Sequence, residues 1–119
     1  DRFWVWVHYA ILKIGRGEYI EAVDFFGFLR MVVLGPLLHI KNGNRPRGVR
    51  KVEMKLMEED YEQLLQTIPT TSKASLLYSL RRSILLYQHL RNVLFPIGIT
   101  LQSSTEKRVM LYFDEIEKQ

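Results

Sequence analysis

Apolar residues recur at helical spacing along nearly the whole chain, and two-residue alternation does not persist beyond residues 3–7. That stretch, Phe-Trp-Val-Trp-Val, has the aromatic and β-branched content of a strand. Phe3, Val7, Ile11 and Ile14 nevertheless continue at intervals of four, four and three, which is one face of a helix. The pattern predicts five helices. The first covers about residues 1–14 and ends at Gly15-Arg16-Gly17, a C-cap and tight turn. The second covers about 18–40, with a kink or break expected near Gly35, because Pro36 lacks an amide hydrogen and its ring clashes with the preceding turn. Lys-Asn-Gly-Asn-Arg-Pro-Arg-Gly is a loop by its turn dipeptides. The third helix covers about 49–67. Pro-Thr-Thr-Ser caps the fourth, about 73–94. Residues 95–100 interrupt the chain, and the fifth helix covers about 104–117, capped by Ser104 or Thr105.

Short connections between long helices imply antiparallel neighbours, so the expected fold is an all-α antiparallel bundle forming one domain over residues 1–119. The first two helices are apolar on nearly all sides and are expected at the centre; the third and fifth carry charged faces and are expected outside.

Composition narrows the picture only slightly. Hydrophobic residues make up 47% and charged residues 25%, which is the balance of a folded chain able to bury a core. With no cysteine, disulfide scaffolds and thiolate metal sites are excluded. The net charge of +4 leans mildly towards anionic partners. The most apolar run, residues 25–40, contains Arg30 and is interrupted by Gly35-Pro36, so it reads as a core helix rather than a membrane span. No secretory signal is visible. A cytoplasmic chain without a membrane partner is the expectation, and the start at Asp1 reads as a piece of something longer.

Lys13 is the residue that needs explaining. It lies in an apolar helical run, on the flank that carries Trp6, Tyr9, Ala10 and Gly17. Its stem can snorkel along apolar surface with the ammonium in water, or the charge can serve a phosphate. Glu18, Glu21 and Asp24 follow in the first two turns of the second helix, where acids complement the helix dipole. Asp24 sits between Ala22-Val23 and Phe25-Phe26, and a carboxylate buried there needs a partner: Lys13, Arg16 or a cationic ligand. Gly15-Arg16-Gly17 fails as a phosphate loop, since no strand precedes it and Ile20 occupies the third glycine's place. Lys41, Arg45, Arg47, Arg50 and Lys51 put five cations in eleven residues without an acid, which is a solvated loop or a nucleic-acid patch. The patch lacks aromatics for stacking, and an acidic helix follows it.

The stretch from Phe3 to Arg30 resembles the helical C-terminal domain of antibiotic-type nucleotidyltransferases of the streptomycin 6-adenylyltransferase kind. The residues that carry the likeness are Phe3-Trp4, Tyr9, Lys13, Gly15 to Gly17, Glu18 and Ala22-Val23-Asp24, and Arg45 to Glu53 is similar to the segment after the second helix. The resemblance covers roughly the first 55 residues. It implies a substrate-binding or accessory domain that closes a nucleotide cleft, with an N-terminal nucleotidyltransferase domain as partner. That domain would hold Mg²⁺ and a nucleoside triphosphate. Lys13 would bind the triphosphate from the helical side. Trp6, Tyr9, Glu18, Glu21 and Asp24 would face a hydroxyl-bearing or polycationic small-molecule acceptor. The Gly-Ser and Asp-x-Asp motifs of the metal-binding half do not occur in these 119 residues, so two-metal chemistry is not expected of this chain alone. Some relatives place a glutamate base one turn before the lysine, where this chain has Tyr9.

A second resemblance is shorter. Arg82 and His89 stand seven apart on one helical face, similar to the Arg-x(4–6)-His signature of HEPN-type ribonucleases. It implies acid–base and oxyanion work on a phosphodiester. The plainer account is an exposed basic face. A non-catalytic helical module that forms homodimers is the third reading.

Overall fold

The computed structural model describes residues 2–95 and 103–119. They form a helical bundle, with no strand among them. Helix α1 (Phe3–Gly15) buries Phe3, Trp4, Val7, Ala10, Ile11 and Ile14, the stripe read from the sequence. It ends in a Schellman turn. Gly17 N–H donates to the Ile14 carbonyl and Glu18 N–H to the Lys13 carbonyl, while Gly17 takes a φ of +78° that an L side chain resists.

Helix α2 (Tyr19–Leu29) runs through one widened π turn (Arg30–Leu34) into α3 (Gly35–Lys41). The chain does not break near Gly35: Tyr19–Lys41 is one helix of 23 residues, and the irregularity expected there takes the form of the π turn. The π turn is the physical reason. Gly35 N–H bonds five residues back, to the Arg30 carbonyl, and this shifts the backbone just ahead of Pro36, which has no N–H to donate. By length and composition alone this helix is long and apolar enough to cross a bilayer, a test that the core helix of a soluble protein also passes. A third of its most apolar window is buried. Ala22, Phe26, Leu29, Leu34 and Leu38 face the core, and Arg30 turns inward to donate to the Thr67 carbonyl at 2.7 Å.

The expected third helix, 49–67, is two short ones: α4 (Val52–Lys55) and α5 (Glu58–Leu65). Leu56 and Met57 between them are extended. The Met57 N–H, which an unbroken helix would use internally, donates to Asn42 Oδ1 at 3.0 Å. Asp60, in the first turn of α5, is buried and held by Lys41 Nζ at 2.8 Å and Asn42 Nδ2 at 3.0 Å, which clamps α5 to the end of α3.

Helix α6 (Lys73–Leu94) begins where its cap predicted: Ser72 Oγ accepts the Ser75 N–H. It buries Leu76, Leu77, Leu80, Ile84, Leu86 and Leu90 together with Ser79 and Ser83. The Ser83 hydroxyl donates to the Ser79 carbonyl, so the two small residues bring α6 close to its neighbours with that donor satisfied. Helix α7 (Ser103–Lys118) lays Val109, Phe113 and Ile116 against the core, and Arg81 and Arg91 of α6 pair with its acids Asp114, Glu117 and Glu106. Helix α1 and the α2–α3 helix both pack against α6, and the three share one core. The α2–α3 helix, expected at the centre, leaves Ile20, Phe28, Met31, Val32 and Ile40 exposed. Its apolar content is spread around all sides, and neighbours cover only one. The cap of α7 and the interruption after Phe95 lie outside the described residues.

Candidate functional site

The α1–α2 hairpin gathers most of the flank picked out in the sequence. The Schellman turn reverses the chain within three residues and brings the first turn of α2 beside the last turn of α1. Lys13 Nζ lies 2.9 Å from Glu18 Oε2 and 3.0 Å from Glu21 Oε2, and 5.3 Å from the centre of the Tyr9 ring. Its side chain is 16% exposed. Lys13 is thus a snorkelling cation whose head meets two carboxylates and an aromatic face. The hydrogen bonds that Lys13 donates to Glu18 and then to Glu21 raise its pKa well above the ordinary lysine value. In return, the hydrogen bond from Lys13 holds the Glu18 carboxyl below the usual range.

Asp24 is not the buried carboxylate that its apolar neighbours suggested. It is exposed and, among the described residues, makes no ion pair; Glu18 and Glu21 take Lys13 instead. The reason is the helix period. One turn of α2 puts Ala22 and Phe26 inside, and Asp24 falls on the opposite side. There it lines an open hollow of about 300 Å³ with Tyr9, Glu21, Phe25 and Phe28. Phe25 stacks on Phe28 with ring centres 5.3 Å apart, Tyr9 leans on Phe25 at 4.7 Å, and Trp6 meets Phe28 edge-on at 5.1 Å. Trp6, Tyr9, Lys13, Glu18, Glu21 and Asp24 therefore belong to one surface, an aromatic floor with carboxylates at its rim. Sequence reasoning left out Phe25 and Phe28, which build the floor. The signal available for them was their i, i+3 spacing, read as core because the whole run is apolar.

Arg82 and His89 also meet around one hollow, of about 490 Å³, with Lys41, Glu59, Asp60, Gln63, Leu85 and Leu86. Arg82 Nη2 donates to Gln63 Oε1 at 3.0 Å, and its Nε has no partner among the described residues. His89 is exposed. Asp60, with its Lys41 partner, occupies the same wall.

Among the described residues no three His, Asp or Glu side chains gather to hold a metal ion. The described residues therefore do not fit the Mg²⁺ pair of a nucleotidyl transfer. Comparison with known protein families, curated proteins and solved structures finds no match to this chain.

Proposed function

We propose that the chain is the helical substrate-binding half of a nucleotidyltransferase-like protein, and that the hairpin hollow holds a cationic, hydroxyl-bearing acceptor. The observation that carries this reading is the aromatic floor of Tyr9, Phe25 and Phe28 with the Asp24 carboxylate unpaired at its rim, next to Glu21. Flat π faces and anionic rims together suit an amino-substituted ring: the faces take the ring's apolar side and the ammonium groups, and the carboxylates accept N–H and O–H donors. The likeness of the first 55 residues to antibiotic nucleotidyltransferases supports the same class of acceptor. The neighbouring domain would supply Mg²⁺ and the nucleoside triphosphate. Lys13 meets that triphosphate only by exchanging Glu18 and Glu21 for it, so its contribution depends on closure of the cleft. Titration of the chain with a panel of aminoglycosides tests the reading. At least one should bind saturably, and Asp24→Asn should weaken it by about tenfold, the worth of one hydrogen bond to a charged group. No saturable binding by any of the panel, or equal affinity for Asp24→Asn, sinks it.

A ribonuclease reading keeps one observation in its favour: Arg82 and His89 share a hollow. Against it, Gln63 holds the guanidinium, Asp60 takes up the Lys41 charge, and the Glu59 carboxylate repels a phosphodiester. The expected outcome is that purified chain leaves a labelled RNA intact. Cleavage that His89→Ala abolishes would put this reading first.

A further inference from the structure

The cationic loop after α3 is used by neither reading, and the fold does more with it than expose it. Asn44, Arg45, Arg47, Arg50, Lys51 and Lys55, with His39 beneath them, line a hollow of about 170 Å³. The lining contains five formal cations and no carboxylate. Among the described residues none of the five side chains makes an ion pair, although Glu53 and Glu58 are near in sequence. Five like charges around one small hollow repel one another, and a compact counter-anion is what would relieve them.

The backbone beneath these charges is fixed from several directions. His39 is buried, and its Nε2–H donates to the Arg50 carbonyl at 3.0 Å, leaving Nδ1 to accept from the Asn44 amide at 3.4 Å. Asn44 also donates to the Lys55 carbonyl at 2.9 Å, which ties the loop to α4. Gly48 passes over Gly35 so closely that a methyl group on Gly35 would overlap the Gly48 carbonyl. Lys51 is held at a φ of +57°, the left-handed region that non-glycine residues rarely take. The cations therefore sit on a preorganised frame, which lowers the cost of ordering them around a ligand.

We propose that this hollow is a binding site for a compact polyphosphate, either inorganic pyrophosphate or the di- or triphosphate arm of a nucleotide. Planar guanidinium groups bind phosphate oxygens two at a time, and Arg45, Arg47 and Arg50 supply three of them. A single phosphate would leave most of the charge unused. A nucleic acid needs an extended track with stacking aromatics, whereas this lining holds no Phe, Tyr or Trp and the acidic α5 follows it in the chain. The site is independent of the hairpin hollow: Asp24 and His39 stand fifteen residues apart on one helix, about 22 Å along its axis.

Calorimetry on the whole chain with pyrophosphate, ATP, AMP, adenosine and a twelve-nucleotide RNA tests this. Pyrophosphate and ATP should each bind at one site and compete. AMP should bind at least about tenfold more weakly and adenosine not at all. The double variant Arg47→Gln/Arg50→Gln should lose about ten- to a hundredfold in pyrophosphate affinity, with unchanged circular dichroism, whereas Asp24→Asn should leave that affinity alone. ATP binding without pyrophosphate binding would overturn the polyphosphate site. So would wild-type affinity in the double variant, or RNA binding that pyrophosphate does not displace.

Discussion

Gly35 is where residue-level geometry has the largest consequence. A Cβ there would overlap the Gly48 carbonyl and sit 2.7 Å from the Arg30 carbonyl oxygen, and both are backbone atoms that no rotamer change can move. In an ordinary exposed helix Gly→Ala stabilises by about 1 kcal/mol. Here the methyl group must push the 48–51 segment off the helix or disrupt the π turn. Gly35→Ala is expected to destabilise the chain by about 1–3 kcal/mol, the usual range for overpacking. Urea unfolding followed by circular dichroism reads this as a lowered midpoint with an unchanged slope; an unchanged or raised midpoint would mean that the loop yields freely. The sequence marks Gly35 only as a helix breaker beside Pro36. The close approach of a second segment was not legible there, because it depends on where a loop thirteen residues further on returns.

At the scale of elements, the α1–α2 hairpin is held by its Schellman turn and by the Lys13–Glu18–Glu21 cluster. The sign of its pH dependence follows from the two shifts. Glu18 is depressed in the folded chain, so its contribution is present above the unfolded carboxyl pKa and is lost as pH falls through the lower folded value. Lys13 is raised, so its contribution is present below the unfolded lysine pKa and is lost only as pH rises through the higher folded value. Glu18→Gln should therefore be less stable than the parent at neutral pH, with the gap closing below about pH 4. Denaturant midpoints at neutral pH and at pH 3 check this, and a gap of equal size at both would show that the carboxylate charge is not the cause. Lys13 and its acids were legible as a group from spacing alone. That Asp24 stands apart from the cluster was not: α2 turns it away by its rotation about the helix axis, which is set by the burial of Ala22, Phe26 and Leu29.

At the scale of the whole molecule, the long Tyr19–Lys41 helix separates two chemically opposite ends. Beside its N-terminal half lies the aromatic hollow rimmed by Glu21 and Asp24. At its C-terminal end the loop closes a hollow of five cations. The modest net charge of +4 conceals this division, because the five cations of one end are offset by acids spread over the rest of the chain. Helices α6 and α7 complete the core and are joined by Arg81 to Asp114 and Glu117, and by Arg91 to Glu106.

The helical class, the boundaries of α6 with its Ser72 cap, the hairpin at Gly15 to Gly17 and the Lys13 flank were all determined by the sequence alone. Each rests on local rules: periodicity, capping and turn chemistry act over a few residues. Tertiary structure decided the rest. It split the third helix by drawing the Met57 N–H to Asn42, and it carried the second helix past Pro36 through a π turn. It packed both α1 and the α2–α3 helix against α6, and it folded the cationic loop over the buried His39 so that Lys55 joins its arginines around one hollow. These outcomes depend on partners far along the chain, and a pattern read within one turn of helix carries no information about which distant group will compete for a given amide or cover a given face.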